Sequence, residues 1–232
     1  MTKLIFALDV HDKMEAGRWV DILGSEVYWY KVGLELFLRE GAGMVESIVG
    51  RGKKVFLDLK LHDIPRTVER AASQAGSMGV DMMTIHATGG RAMMEAAANA
   101  AASLKNPPKV VAVTVLTSLD ANALEEIGLG ADPRKWALEL AKLAKKAGMD
   151  GVVASPLEAK SIKEACGKNF IVVTPGIRMP DSKVDDQRRT ATPSEAAKNA
   201  DFIVVGRPIR DAPDPIAVTR EINEMISADK TK

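Results

Sequence analysis

Several things are scarce in this sequence. Cysteine occurs once in 232 residues, as Cys166. An internal disulfide is therefore excluded, and with no histidine close by in sequence the thiol is expected to be inert and partly buried. Histidine occurs only at His11, His62 and His86, without the spacing of a metal-binding helix. Neither sign of charge is in excess. Lys and Arg number 32 against 31 Asp and Glu, a net charge of +1, so neither nucleic acid nor an anionic membrane is an expected partner. No apolar run reaches the roughly eighteen residues of a membrane span. The apolar run in MTKLIFALDVHD is too short for a secretory signal, and the cytoplasm is the expected compartment. No GxGxxG follows the first apolar run, which argues against an open dinucleotide-binding sheet. No linker divides the chain.

What is present suits a large single core: 46% of residues are hydrophobic and 27% charged,. Short apolar, β-branched runs alternate with longer helical patterns. The strands are expected at 4–10, 27–33, 54–60, 81–87, 109–116, 151–155, 170–176 and 201–207,. Helices are expected at 12–23, 34–50, 65–78, 89–104, 134–147, 156–166, 193–199 and 214–227, with a short extra one near 120–127. Asp132-Pro133 and Thr192-Pro193-Ser194-Glu195 read as helix starts, the second with a capping-box glutamate. Gly79-Val80-Asp81, Gly148-Met149-Asp150 and Asn199-Ala200-Asp201 each close a helix before a strand. Eight βα units predict an α/β chain folded as one (β/α)8 TIM barrel, residues 1–232, with an open doubly wound sheet as the alternative. The long irregular stretch 178–192 is expected to be a functional, mobile loop.

The stretch FLDLKLHDIP, residues 56–65, places charge where a strand should be apolar. Alternation turns Asp58 and Lys60 to one face and Leu57, Leu59 and Leu61 to the other. In a barrel, chemistry collects at the C-terminal strand ends, and there Asp9, Lys31, Asp58 and Lys60 alternate in sign and can neutralise one another. Such a set fixes one lysine as an ammonium that can give a proton. Asp63 reads either as part of this array or as a plain N-cap before Ile64-Pro65, and Thr67 as either a site residue or a surface one. Thr117 and Ser118 follow strand five. Arg178, Gln187, Gly206 and Arg207, after strands seven and eight, suit a phosphate group: glycine allows close backbone approach, and arginine can bind phosphate with two parallel hydrogen bonds. Arg188 and Arg189 read as solvated or loop-packing, and the glycines of HATGG, residues 86–90, as a tight turn.

The motifs ALDV (7–10), KVG (31–33), DLKLHDIPRT (58–67), VTVLTS (113–118), VTPGIR ending at Arg178, DQRR (186–189) and VVGRPI (204–209) occur in the order found in the orotidine 5′-phosphate decarboxylases. The chain resembles that family essentially end to end. The resemblance implies a (β/α)8 homodimer that takes orotidine 5′-monophosphate (OMP) to uridine 5′-monophosphate (UMP) and CO2, the last step of de novo UMP synthesis, without metal or organic cofactor. It implies Lys60 as proton donor, Asp58 beside the substrate carboxylate, and Lys31 and Asp63 completing the charged array. Asp63 and Thr67 would reach the partner's site. Asp9 and Lys31 would hold the ribose hydroxyls, and Thr117 would read the pyrimidine edge. Gln187, Gly206 and Arg207 would grip the phosphate, with Arg178 in the same region. Arg66 departs from the pattern, where a smaller polar residue is expected.

Three rivals differ in what they need. A magnesium-dependent sugar-phosphate decarboxylase or aldolase shares DxKxxD but carries a carboxylate where Lys31 stands. A Schiff-base enzyme needs a neutral lysine, which two flanking acids disfavour. A non-catalytic nucleotide-binding barrel has no need of Asp58, Lys60 and Asp63 together.

Overall fold

The computed structural model describes residues 1–180 and 189–228. Eight parallel strands close into a barrel in sequence order: β1 Lys3–Ala7, β2 Trp29–Gly33, β3 Lys54–Leu61, β4 Met82–His86, β5 Lys109–Val113, β6 Gly151–Val153, β7 Ile171–Thr174 and β8 Phe202–Val205. The helices are α1 Lys13–Leu23, α2 Leu34–Glu40, α3 Ala42–Val49, α4 Pro65–Ser77, α5 Gly90–Ala102, α6 Ala121–Glu126, α7 Pro133–Lys146, α8 Pro156–Cys166, α9 Pro193–Ala197, α10 Arg207–Arg210 and α11 Pro215–Ser227. The (β/α)8 architecture expected from the sequence is the one observed.

The apolar residues divide into two cores, as strand alternation requires. Ile5, Trp29, Phe56, Met82, Val111, Val173 and Phe202 fill the barrel interior. Their neighbours along the strands, such as Phe6, Tyr30, Leu57 and Met83, pack outward against the helices. Cys166 lies buried in this outer core, where burial pushes its thiol above the ordinary range, as expected of an inert cysteine.

At the N-terminal face, the aspartates that close the helices before β4, β6 and β8 share one device. Asp81 accepts from Lys54 Nζ at 2.7 Å and from the Val55 N–H at 3.1 Å. Asp150 accepts from Lys109 Nζ at 2.8 Å and from the Val110 N–H at 2.9 Å. Asp201 accepts from Lys163 Nζ at 2.5 Å and from the Val172 N–H at 2.8 Å. Each carboxylate thus pins the start of the preceding strand, so this end of the barrel serves register and stability.

Both expected helix starts are present: Asp132 accepts from the Arg134 and Lys135 N–H groups, and Thr192 with Glu195 forms a full capping box. The HATGG glycines make a tight turn, with Gly90 at φ 83°. Two expectations need correction, and one helix is unexpected. The helix expected over 34–50 is two helices, because Gly41 adopts φ 61° and breaks the run between α2 and α3. Several strands end earlier than the apolar runs do: β1 stops at Ala7, so Asp9 lies beyond it, and β5 stops at Val113. The short helix α10, directly after β8, was not legible in VVGRPI. Among the described residues no helix is long and apolar enough to cross a membrane.

Candidate active site

The site begins with a distortion of β3. Leu57 pairs with Met83, but the next pairing joins Leu61 to Ile85. Four steps along β3 therefore match two along β4, and the surplus forms a bulge. Lys60 sits in it at φ 51°, the one non-glycine residue with positive φ among the described residues. That conformation costs a lysine roughly 1–2 kcal/mol and persists only where the surroundings hold it, a pattern common at functional sites.

Here the surroundings are specific. The Lys60 N–H donates to Thr84 Oγ1 at 2.8 Å, and the Thr84 hydroxyl donates onward to Asp58 Oδ1 at 3.0 Å. Lys60 Nζ donates to Asp58 Oδ2 at 2.8 Å. Thr84 is fully buried and Asp58 is 9% exposed. Asp58 therefore receives one bond from the ammonium it faces and one from the residue that clamps that lysine's backbone. Both carboxylate oxygens are satisfied, which offsets the cost of burial.

A second pair stands beside the first. Lys31 Nζ donates to Asp9 Oδ1 at 2.8 Å. Gly33 makes room for it, since a Cβ there would lie 2.9 Å from the lysine nitrogen. Asp9, lying past the end of β1, is held from behind by Arg210 of α10, whose Nη1 donates to the Asp9 carbonyl at 2.8 Å. The four alternating charges expected from the sequence thus resolve into two ion pairs.

Both pairs open into one cavity of about 240 Å³ at the C-terminal mouth of the barrel. Its lining includes Asp9, Lys31, Asp58, Lys60, Thr117, Arg178, Gly206 and Arg207. Eight residues proposed from the sequence therefore meet in one place. The two arginines and Gly206 stand after β7 and β8, and Thr117 stands on the turn after β5. A Cβ on Gly206 would lie 3.3 Å from Ala7 Cβ and 3.6 Å from Asp9 Oδ2, so even a methyl group here would press on Ala7. The apolar part of the lining includes Phe56, Val113, Val153 and Val204.

Two candidates lie elsewhere in the chain. Asp63 and Thr67 are exposed and do not line the cavity. The N-cap of α4 is Ile64, not Asp63. Asp63 instead accepts from the Ile64 N–H at 2.7 Å, so the plain capping reading of Asp63 is corrected. Gln187 lies outside the described residues. Sequence reasoning missed Thr84 and Arg210, which touch the candidate residues directly. The one signal for Thr84 is a hydroxyl among the apolar residues Met82, Met83 and Ile85.

His86, at the end of β4, stacks on His62 with ring centroids 5.3 Å apart. Its Nδ1 is 2.8 Å from Thr88 Oγ1. Burial, then the neighbouring His62 and Lys60, hold its imidazole below the usual value,. Among the described residues no three His, Cys, Asp or Glu side chains are grouped to hold a metal ion.

Comparison with known proteins points the same way. A family model described as "Orotidine 5′-phosphate decarboxylase / HUMPS family" matches residues 2–222. The orotidine 5′-phosphate decarboxylase of Moorella thermoacetica is 49% identical over 227 residues, covering 95% of this chain and 90% of that protein. That of Chromobacterium violaceum is 48% identical over 225 residues, covering 97% and 91%. The crystal structure of the Lactobacillus acidophilus enzyme of the same name superposes with a TM-score of 0.86 at 37% identity, covering 97% of this chain and 99% of that one.

Proposed function

The chain belongs to the orotidine 5′-phosphate decarboxylase / HUMPS family, and from that premise we propose that it converts OMP to UMP and CO2 by the charges of its own side chains. The observation that carries the reading is the strained Lys60, clamped through Thr84 with its ammonium 2.8 Å from the buried Asp58.

The chemistry follows from that geometry. The bond from C6 of the pyrimidine to its carboxylate breaks, CO2 leaves, and the electron pair stays on C6. The Lys60 ammonium stabilises the developing negative charge and donates a proton to C6. Lys60 is left as an amine and recovers its proton from water after UMP departs. Asp58 is no base in this reaction, since no proton needs removal. Its work is to hold Lys60 charged and aimed, and to place negative charge beside the departing carboxylate. Lys31 and Asp9 bind the ribose hydroxyls and Thr117 the pyrimidine edge. Gly206 and Arg207 take the 5′-phosphate, joined by Gln187 and Arg178. These contacts lie away from C6 and supply binding energy that orients the reacting carbon. Asp63 and Thr67, exposed on one subunit, complete the site of a second copy in a homodimer.

The reaction needs neither metal nor organic cofactor in this reading. The family description also covers the HUMPS branch. The ammonium of Lys31 beside the Asp58–Lys60 pair favours the nucleotide decarboxylase over a metal-dependent enzyme, because a cation already occupies that space.

The test is Lys60→Ala. The variant is expected to lose OMP turnover by several orders of magnitude while still binding UMP. Turnover near that of the unmodified protein would remove Lys60 from the chemistry.

A further inference from the structure

Arg189 is the first described residue after the 181–188 stretch, and its guanidinium is almost buried. Its side chain is 11% exposed and that of its partner, Glu158, 1%. Arg189 Nη1 donates to Glu158 Oε1 at 2.6 Å, and Nη2 donates to the carbonyls of Val115 at 3.1 Å and Leu116 at 2.9 Å. One side chain therefore joins three parts of the molecule: the segment leading to α9, the first turn of α8, and the turn after β5.

Glu158 is set up for this contact. Ser155-Pro156-Leu157-Glu158 has the spacing of a capping box, like Thr192 to Glu195. The Thr192 box forms, with Glu195 Oε2 accepting from the Thr192 N–H at 2.8 Å. At α8 the Ser155 side chain caps the Leu157 N–H instead, and the Glu158 carboxylate turns to Arg189. A helix-start glutamate has been diverted to hold an arginine. Burial pushes the Glu158 carboxyl up and the Arg189 guanidinium draws it back, so the buried carboxylate relies on this arginine for its compensating charge.

The segment that carries Arg189 is anchored to the strand-seven side. The Ala191 N–H donates to the Gly176 carbonyl at 3.2 Å, and the Arg178 N–H donates to the Ala191 carbonyl at 3.0 Å. Val115, Leu116, Thr117, Gly176 and Arg178 all line the cavity. The guanidinium thus fixes the backbone directly before Thr117 from a stem tied to the phosphate side.

We propose that Arg189 is a positioning residue that sets the base-reading turn at Val115–Thr117 in place, so that its loss weakens recognition of the pyrimidine and spares that of the phosphorylated sugar. The inference rests on the nucleotide reading of the site. A planar fork is required, because one group must meet a carboxylate and two carbonyls at once. A lysine could keep the charge pair but could not span all three.

The test compares Arg189→Lys with Arg189→Met/Glu158→Met, which removes both charges together so that neither is left buried alone, and frees the Val115 and Leu116 carbonyls,. Two ligands are titrated, UMP and ribose 5-phosphate, which lacks the base. Amide hydrogen exchange is followed over 114–119. Both variants are expected to bind UMP about tenfold more weakly, the loss of a charge-assisted hydrogen bond. Ribose 5-phosphate affinity should stay within about twofold, and exchange should accelerate at 114–119 while the strand cores remain protected. Equal losses for both ligands, or unchanged UMP affinity, would overturn the proposal. So would unchanged exchange at 114–119. If the unmodified protein failed to bind UMP, the nucleotide reading would fall. The exchange measurement would still decide whether Arg189 orders this turn.

Discussion

At the scale of single residues, the site depends on groups that are fully committed to one another. Thr84 uses its one hydroxyl to accept from the Lys60 backbone and donate to Asp58. Thr84→Val keeps the shape and removes both bonds. It is expected to lower kcat about tenfold with little change in UMP affinity, measured by steady-state kinetics and titration. On the proposed reading, in which Arg207 grips the phosphate with a charged, two-pronged contact, Arg207→Ala should reduce kcat/KM for OMP about a hundredfold yet scarcely affect orotidine lacking the phosphate; equal losses would remove Arg207 from that role. His86 makes a pH prediction. Its imidazole is held below 6.5, chiefly by burial, so the unfolded chain takes up the proton first. Stability should therefore fall as pH drops below about 6.5, and His86→Gln should flatten that part of a denaturation-versus-pH profile. Charged residues were the legible part of this site. Asp58 and Lys60 stand out because charge in an apolar strand demands a reason. Thr84 did not, because threonine is at home in any strand.

At the scale of elements, alternation and punctuation gave most of the barrel, and the misses have local causes. Apolar runs continue past the last ladder bonds, so β1 and β5 are shorter than the runs that contain them. The break falls at Gly41-Ala42-Gly43, where glycine permits a stop inside a helical pattern and the φ of 61° at Gly41 makes it one,. The bulge of β3 is likewise a matter of pairing with β4 and leaves no mark in DLKLHD itself. Glycine has a sharper meaning in β6. A Cβ on Gly151 would lie 2.2 Å from the Ile171 carbonyl oxygen, and backbone cannot yield as a flexible side chain can. Gly151→Ala is expected to destabilise the fold by about 3 kcal/mol, read from urea unfolding; a midpoint like that of the unmodified protein would show that β6 and β7 can separate without penalty.

At the scale of the whole molecule, the barrel divides its labour between its ends. The N-terminal face carries the Asp81, Asp150 and Asp201 pins, and the C-terminal mouth carries the charged pairs and the cavity. Asp63 and Thr67 fall outside that mouth in a single chain, and composition and periodicity carry no signal for a second subunit; only the family resemblance assigns them one. Co-expressed Lys60→Ala and Asp63→Ala subunits should regain activity through one intact shared site per heterodimer; none, in heterodimers confirmed by mass, would make Asp63 a residue of its own subunit only. The most direct measurement is the orotate absorbance of OMP incubated with the purified protein in the presence of EDTA. Loss of that absorbance with UMP as the product, unaffected by the chelator, is the expected result. No loss from a folded protein that binds UMP, or a loss that EDTA stops and magnesium restores, would contradict it.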